Sequence, residues 1–373
     1  MHDEEIMKIQ GAVLERMNDP RPYSTSNPIS IRTLDLDPPG PGELLIRMEI
    51  AGVCHSDLSV VNGSRPRPLP MLIGHEAAGI VEAIGDGVED IEVDQRVVTT
   101  FLPRCENCRA CKSGGKAPCT NGSASNTSGT LLRGGSRLHL GNTVIRHHLG
   151  VSGFATYAVV DRHSVVPVDL DVPAKVAAMM GCAVLTGGGA VINSGQLREG
   201  ETLAVIGLGG VGMAAVLAGL AFKGVRVIGV DSREEKLSLA AEFGVHETYL
   251  PGEAKKAGVK ADVVVEAVGS AKAFGSAIAL TAPGGRTITV GLPAADELAK
   301  ISPLSLVAEG RSIIGSYMGS SIPARDVPIF IKMWREGKFL VEKLVSAEIE
   351  LTDINHAMDE LADGNAIRQL IVF

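Results

Sequence analysis

Residues 202–212 read Thr-Leu-Ala-Val-Ile-Gly-Leu-Gly-Gly-Val-Gly, and this stretch decides the fold. An apolar strand leads into a G-x-G-x-x-G turn that opens an apolar helix. Gly207 permits the tight turn, Gly209 lets a pyrophosphate approach the backbone, and Gly212 lets the helix lie close to the sheet. The motif predicts a dinucleotide site made of Gly207, Gly209, Gly210, Val211 and Gly212. A glycine-rich turn without a ligand is the alternative.

Strand-like and helix-like stretches alternate from about residue 184. The pattern predicts strands at 225–230, 262–266, 286–290 and 311–315, and helices at 210–222 and 233–243. Such alternation indicates a parallel doubly wound sheet. Asp231 ends the second strand, where a carboxylate bonds ribose hydroxyls and repels a 2′-phosphate, so NAD is predicted over NADP. Lys236 is a further candidate cofactor contact, and with Arg233 it leaves NADP open.

All six cysteines fall into two metal-ligand patterns. Four of them form a C-x2-C-x2-C-x7-C run: Cys105, Cys108, Cys111 and Cys119. Four thiolates can close a tetrahedral zinc shell, so this run predicts a structural zinc, with four ordinary buried thiols as the alternative. Cysteines this sparse in a chain of 373 residues argue against a disulfide scaffold and for a reducing compartment.

The other two cysteines, Cys54 and Cys182, are predicted to share a zinc ion with His75. Two thiolates and one imidazole leave a fourth position open, and open zinc sites do chemistry. Cys54 lies in a polar segment between β-like stretches, His75 follows Gly74, and Cys182 stands at the junction with the nucleotide-binding half. Ligands that join two domains are expected at the cleft where a substrate and a cofactor meet. Their wide spacing also allows three unrelated core residues.

The first third of the chain reads as β structure. Strands are predicted at 43–50, 78–84, 97–101 and 157–160. Short strands separated by Gly and Pro indicate a partly open barrel. Residues 103–150 show little periodicity, so a metal would order the lobe at about 103–122, and a helix is expected near 353–363. The predicted domains are catalytic at 1–183, NAD-binding at 184–318, and a return to the catalytic domain at 319–373.

Charge and hydropathy indicate which classes of binding partner the protein is expected to lack. The formal net charge of −8 argues against a nucleic-acid groove, which needs a basic face. Residues 203–222 carry no charge and are long enough to span a bilayer, but their glycine spacing favours a buried strand, turn and helix. The N-terminus, Met1-His2-Asp3-Glu4-Glu5, is acidic where a signal peptide is basic. We therefore expect a soluble, cytoplasmic protein without a nucleic-acid or membrane partner.

Taken together, these motifs resemble the zinc-dependent medium-chain alcohol dehydrogenase family over essentially the whole chain. The resemblance is carried by Gly74-His-Glu-Ala-Ala-Gly79 with Gly85, the Cys105–Cys119 run, Gly181-Cys182, the Gly207–Gly212 loop, Asp231 and Ile367-Arg368. It implies a GroES-like catalytic domain built from both ends of the chain, with a Rossmann domain between them. It also implies two Zn2+ per chain and NAD as cofactors, and an oxidoreductase that acts on CH–OH donors.

The resemblance implies roles for particular residues. Cys54, His75 and Cys182 resemble the catalytic zinc ligands, and Ser56 resembles the hydroxyl through which the alcohol proton leaves. Asp57 resembles the carboxylate that orients the metal-bound histidine, and Glu76 an acidic neighbour of the zinc and possible ligand. His55 and Arg368 resemble pyrophosphate contacts, Thr186 a nicotinamide contact, and Val290 to Leu292 the strand end that holds the carboxamide. Ser59 replaces the histidine that ends the proton relay in some relatives, which leaves the proton exit open.

The implied reaction is reversible hydride transfer between a zinc-bound primary or aromatic alcohol and NAD, giving an aldehyde or ketone. By position, Phe101 and Leu149 are apolar pocket walls. Arg65 and His148 stand where relatives often carry apolar or aromatic groups, so this basic pair predicts a polar or anionic substrate tail, unless both side chains turn to solvent. Two alternatives remain: a thiol-adduct formaldehyde dehydrogenase of the same family, which Arg65 and Ser123 disfavour, and a catalytically inactive nucleotide-binding relative. The long gap between Cys119 and Cys182 resembles dimeric members and predicts a homodimer.

Overall fold

The computed structural model describes residues 6–373, so the acidic N-terminal residues discussed above lie outside the described part. The chain divides into two compact units. Unit 1 contains the residues up to Cys182 together with Val345–Phe373, and unit 2 is Ala183–Leu344. Both ends of the chain therefore fold into the same unit.

Strands and helices are numbered along the chain. The strands are β1 Met7–Leu14, β2 Ile29–Leu36, β3 Glu43–Val53, β4 Met71–Leu72, β5 Ala77–Ile84, β6 Arg96–Thr99, β7 Leu138–Leu140, β8 Thr143–His147, β9 Tyr157–Asp161, β10 Val165–Val168, β11 Thr202–Ile206, β12 Arg226–Val230, β13 Glu247–Tyr249, β14 Ala261–Glu266, β15 Thr281–Thr289, β16 Ser312–Gly315, β17 Val345–Ile349 and β18 Arg368–Val372. The helices are α1 Tyr23–Ser26, α2 His55–Val61, α3 Thr120–Ser128, α4 Ala174–Met179, α5 Leu185–Gly189, α6 Gly210–Leu220, α7 Glu234–Glu242, α8 Glu253–Lys256, α9 Ala271–Leu280, α10 Pro303–Glu309, α11 Pro323–Arg335 and α12 Ile354–Ala362.

Unit 1 is built from two β-sheets. The strands β1-β2-β7-β8-β4 close into a barrel, where the sequence predicts a partly open one, because the short β4 pairs with both β1 and β8. The second sheet has seven strands in the order β10-β6-β5-β3-β18-β17, with β9 also paired to β3. The long β3 lies at its centre and is buried along most of its length, so its end is held rigidly.

Unit 2 is a doubly wound sheet, as predicted. Its six strands run in the order β13-β12-β11-β14-β15-β16, and every neighbouring pair is parallel. Counted from β11, this is the strand order 3-2-1-4-5-6 of dinucleotide-binding sheets. Apolar side chains such as Ala204, Ile228 and Val264 fill the core under the helices. In such a sheet a ligand binds outside the carboxyl ends of the strands, where the order reverses between β11 and β14.

The second domain boundary lies later than the sequence analysis places it. Residues 319–344, predicted to return to the catalytic domain, belong to unit 2. They include α11, whose Phe330 ring lies 2.5 Å from the position that a Cβ on Gly188 would take. Asn193 Nδ2 donates to Asp326 Oδ2 at 3.0 Å in the same region. This packing against α5 and the turn after it is long-range, so the local sequence pattern does not reveal it.

One helical segment is apolar and long enough to cross a membrane by length and composition: Ala174–Ser194, 21 residues that include π-helical turns. In its most apolar 18-residue window, 89% is buried inside the structure, which is the behaviour of a core helix. The stretch 203–222, which hydropathy alone could mistake for a membrane span, is divided between β11 and α6. Its apolar residues pack in the core of unit 2.

Candidate metal centre and dinucleotide loop

Cys54 stands at the junction of β3 and α2 in unit 1. Its backbone is extended, and it caps the helix: Cys54 N donates to Asp57 Oδ2 at 3.0 Å, while its side chain accepts from the third residue of the helix. This reciprocal capping stops the strand and starts the helix at one residue. The local sequence therefore fixes the position of the Cys54 thiol.

His75 lies between β4 and β5 and is fully buried. It follows Gly74, whose φ of 96° and close approach to Phe154 leave no room for a side chain. His75 Nδ1 donates to Asp57 Oδ1 at 2.9 Å, since a carboxylate can only accept. The lone pair of Nε2 is then available, which is the usual arrangement of a metal-binding histidine.

Cys182 completes the set from the π-helical turn Met180–Val184. Its Sγ lies 3.4 Å from His75 Nε2. Gly181 lets this turn approach β6, because a Cβ there would lie 1.9 Å from Thr99 O. The donor atoms of Cys54, His75 and Cys182 all lie within 4.8 Å of one another.

These separations fit one zinc ion. Tetrahedral bonds of zinc to sulfur and nitrogen place the two ligand atoms about 3.6 Å apart. Three donors of this kind leave one coordination position for a substrate. The predicted grouping of Cys54, His75 and Cys182, which spacing alone leaves doubtful, is thus present in unit 1.

Electrostatics at the three donors favour a bound cation. The hydrogen bond from the Cys182 thiol, opposed by burial and helped by the Arg368 charge, holds the pKa of Cys54 well below its ordinary value. The same bond, together with burial, raises the pKa of Cys182 well above its ordinary value. Burial lowers the pKa of His75, but the charge of Asp57 and the hydrogen bond to it raise that pKa well above the usual range. Zinc would replace the protons that these groups share.

Glu76 and Arg368 form a buried ion pair beside the set. Arg368 Nη1 lies 3.4 Å from Glu76 Oε2 and donates to Val53 O at 3.1 Å. Both side chains are almost inaccessible to solvent. Glu76 is therefore placed with Arg368 rather than within the group of three donors, although the sequence analysis allows it as a ligand. Arg368, assigned to pyrophosphate by resemblance, is buried here against the end of β3.

The other predicted residues of α2 lie along its first turns. His55 is exposed at the start, and Ser56 is half-buried next to it. Ser59 Oγ donates to the carbonyl of His55 at 2.8 Å, so its hydroxyl is engaged by its own helix. Thr186, the predicted nicotinamide contact, is buried in α5 of unit 2.

Aromatic rings surround His75. The Phe101 ring packs edge-on with its centroid 5.8 Å from that of His75, and the His148 ring does the same at 5.4 Å. The expectation that His148 could turn to solvent is wrong, because its side chain is 1% exposed. Leu149 is buried with a positive φ, and Arg65 is half-buried.

The four remaining cysteines form a second donor group in unit 1. Cys105, Cys108, Cys111 and Cys119 have their sulfurs within 4.8 Å of one another. Backbone N–H groups of Cys105, Cys111 and Gly122 point at sulfurs of the group at 3.3–3.4 Å. Such bonds, with Cys111 N first, lower the pKa of Cys108 to about 5, whereas burial and the neighbouring thiols raise the pKa of Cys111 to about 12. A closed all-sulfur shell of this kind suits a structural zinc.

In unit 2, the glycine loop has the form that a pyrophosphate requires. Gly207 has a φ of 91°. A Cβ on Gly212 would lie 1.7 Å from Gly207 O, so only glycine lets α6 start this close to β11. A Cβ on Gly209, by contrast, would meet nothing within 4 Å. The space beside Gly209 is therefore open to a ligand at the N-terminus of α6.

Asp231 organises the same loop from the end of β12. Its Oδ2 accepts from Leu208 N at 2.7 Å and its Oδ1 from Arg233 N at 3.0 Å. Lys236 is half-buried in α7, Val290 is half-buried just after β15, and Leu292 is 50% exposed. Each oxygen of Asp231 keeps a lone pair for a ribose hydroxyl.

Sequence reasoning missed Glu266, a buried carboxylate at the end of β14. It accepts hydrogen bonds from Val268 N, Gly269 N and Thr289 Oγ1, and its carbonyl accepts from Val290 N. It therefore joins the carboxyl ends of β14 and β15. An acidic residue closing a run of valines, Asp262-Val-Val-Val-Glu266, is the signal that could have found it.

Comparison with known proteins agrees with this architecture. The chain matches the profile of the alcohol dehydrogenase GroES-like domain over residues 40–170 and that of the zinc-binding dehydrogenase over residues 210–335. The fold and the candidate sites agree with the class of the zinc-binding dehydrogenases. The chain belongs to the medium-chain zinc alcohol dehydrogenase family and is an oxidoreductase of that family.

Several solved structures are similar over nearly the full length. An alcohol dehydrogenase zinc-binding domain protein from Burkholderia ambifaria has a TM-score of 0.91 and 29% identity, covering 99% of this chain and 100% of its own. Benzyl alcohol dehydrogenase from Acinetobacter calcoaceticus has a TM-score of 0.89 and 27% identity, covering 98% and 99%. Acetophenone reductase from Geotrichum candidum, solved with NAD, has a TM-score of 0.76 and 26% identity, covering 98% and 97%.

Proposed function

We propose that this protein is a zinc- and NAD-dependent alcohol dehydrogenase that interconverts primary or aromatic alcohols with their aldehydes or ketones. The observation that carries the proposal is the set Cys54, His75 and Cys182, with the His75 ring oriented by Asp57. This donor set leaves a zinc position open to substrate. The similarity to benzyl alcohol dehydrogenase, at 27% identity, supports an aromatic alcohol as a first substrate to test.

Zinc bound by these residues would polarise the alcohol oxygen, and NAD would accept a hydride from the α-carbon. The chain itself orients the metal ligands and receives the hydroxyl proton. Asp57 holds His75 in one tautomer. Ser56, half-buried two residues after Cys54, is the hydroxyl that we assign to the first proton transfer. Because Ser59 bonds to its own helix, the proton leaves by another route.

NAD is the proposed cofactor. Asp231 lies at the end of β12 with its carboxylate bonded to the glycine loop, where a 2′-phosphate would meet a negative charge. His55, Thr186, Lys236, Val290, Leu292 and Arg368 remain proposed contacts. Arg233 and Lys236 would favour NADP instead, so both cofactors belong in the first assay.

The deciding experiment joins metal analysis to turnover. The purified wild type should contain two zinc ions per chain and reduce NAD when benzyl alcohol is added, with reduced nicotinamide followed by absorbance. Cys182→Ser should keep the circular dichroism spectrum, contain one zinc and lose turnover, because one donor of the open site is gone. Full activity of the Cys182→Ser variant would contradict the proposal.

A second variant separates the two metals. Cys108→Ser should release the structural zinc and lower thermal stability, because a closed zinc site contributes directly to folding. A protein that contains zinc only in this lobe would fit a nucleotide-binding relative without turnover instead.

We also propose that the protein is a cytoplasmic homodimer. The small molecule that it binds would be an alcohol or an aldehyde. The strand β16 has an unpaired edge within unit 2 of the described chain. Leu298, Leu304 and Val307 nearby in the sequence are 77–87% exposed. An open strand edge beside apolar side chains pairs readily with a second copy.

A further inference from the structure

His148 is buried beside the proposed metal centre without the hydrogen bonds that burial demands. Its side chain is 1% exposed, and neither ring nitrogen has a hydrogen-bond partner in the described part of the chain. Nδ1 lies 3.2 Å from Asp57 Oδ1, but not in hydrogen-bond alignment, and that oxygen already accepts from His75. A buried polar group of this kind calls for a ligand or an ordered water.

Arg67 lies in the same neighbourhood with an uncompensated charge. Its Nε is buried and has no hydrogen-bond partner, and its Nη1 makes only a long bond, 3.4 Å, to Asn126 O. No carboxylate within residues 6–373 lies close enough to form an ion pair with it. Pro66 and Pro68 flank Arg67 and restrict its backbone. The backbone at Arg67 is therefore restricted before any ligand arrives.

Contacts within unit 1 connect Arg67 to the metal ligands. Asn126, whose carbonyl holds Arg67, donates from Nδ2 to Phe101 O at 2.7 Å. The Phe101 ring packs on His75, as does that of His148.

We infer that the alcohol oxidised at this site carries a carboxylate, bound by Arg67 with His148 as a hydrogen-bonding neighbour. This inference rests on the proposed function and specifies its substrate class. A guanidinium fork matches a carboxylate in geometry and charge. The His148 ring can add an N–H donor. Asn126 Oδ1 is also buried without a partner, so a water molecule rather than the anion would bind there.

The site should discriminate strongly between alcohols that carry a carboxylate and those that do not. A site that leaves polar groups unpaired rejects a substrate that lacks the complementary group more strongly than an apolar pocket rejects a missing methylene. Loss of one charged hydrogen bond in a site of this kind corresponds to about 10- to 100-fold in kcat/KM.

The test compares 4-(hydroxymethyl)benzoate with 4-methylbenzyl alcohol, a neutral alcohol of similar size. In the wild type, kcat/KM should be higher for the carboxylated alcohol. Arg67→Gln should lower that value about 10- to 100-fold while changing the value for the neutral alcohol by less than about threefold. Arg198→Gln removes the same charge from an exposed position in unit 2 and should change neither value.

A binding measurement keeps this inference separate from the proposed function. Calorimetry on the zinc-loaded protein without NAD should show weaker binding of 4-(hydroxymethyl)benzoate to Arg67→Gln than to the wild type. If neither alcohol is oxidised, the proposed function fails, and calorimetry alone decides about Arg67. Equal binding to both proteins, equal rates for both alcohols in the wild type, or equal losses for both alcohols in Arg67→Gln would overturn the inference.

Discussion

Asp57 acts on two of the proposed metal ligands at once. One of its oxygens accepts from His75 Nδ1 and the other from the backbone N–H of Cys54. Burial by itself raises the pKa of Asp57, but the charge and hydrogen bond of His75 and the nearby His148 lower it below its ordinary value. The carboxylate therefore stays ionised in the core and holds the lone pair of His75 toward the two sulfurs.

Asp57→Asn should lower zinc affinity at this site about 10- to 100-fold, because an amide lacks the charge that supports the imidazole. Competition with a chelator measures the affinity directly, without turnover. Asp37→Asn is the matched control, since Asp37 forms a similar carboxylate–histidine bond with His139 near the surface. Zinc affinity that is unchanged in Asp57→Asn would contradict the role given to Asp57.

At the scale of elements, the turn between β11 and α6 contains two glycines with different roles. Gly212 is required for packing, because its Cβ would overlap Gly207 O. Gly209 has an ordinary extended conformation and open space around it. A ligand that approaches the backbone there would account for the glycine at this position.

Two alanine variants separate these roles. Gly212→Ala should lower the melting temperature, with a cost of about 1–3 kcal/mol from overpacking. Gly209→Ala should melt like the wild type but bind NAD at least about tenfold more weakly, since the methyl group occupies the space of the pyrophosphate. Scanning calorimetry and NAD titration give the two readouts. Equal NAD affinity in Gly209→Ala and the wild type would refute the proposed phosphate position.

The contact between α1 and α12 predicts a pH dependence of stability. Asp359 accepts from Tyr23 N at 2.8 Å and from Ser24 N at 2.9 Å. Burial raises the pKa of Asp359, but these backbone bonds outweigh it, so the pKa is lowered in the folded state. A carboxylate with a lowered folded pKa stabilises the fold above its unfolded pKa of about 3.9, and this contribution is lost as pH falls through the folded value.

Asp359→Asn should therefore reduce the free energy of unfolding at neutral pH, on the order of 1 kcal/mol. Below roughly pH 4 its stability should change less steeply than that of the wild type, because the titrating group is absent. Urea unfolding at a series of pH values tests this. Parallel pH profiles for the two proteins would show that Asp359 contributes nothing to acid sensitivity.

For the whole molecule, we expect two copies of the chain to associate through a surface of unit 2. The pair Leu304→Lys and Val307→Lys places two charges on α10 at positions now 77% and 83% exposed. If that surface joins two copies, sedimentation should show a dimer for the wild type and a monomer for the double variant, because buried unpaired charges are costly. Val93→Lys, at an exposed apolar residue of unit 1, should leave the dimer intact. A double variant that stays dimeric would place the interface elsewhere.

The family, the doubly wound sheet and the glycine loop were determined by sequence alone, because strand periodicity and a G-x-G-x-x-G turn are local signals. The cysteine group at Cys105–Cys119 could also be predicted from the sequence, since its four thiols lie on one short stretch of chain. Only the tertiary structure brought Cys54, His75 and Cys182 together and placed residues 319–344 in unit 2. It also showed that Arg67 Nε and both ring nitrogens of His148 are buried without a hydrogen-bond partner in the described part of the chain. Such features arise from contacts between residues far apart in the chain, which no local pattern encodes.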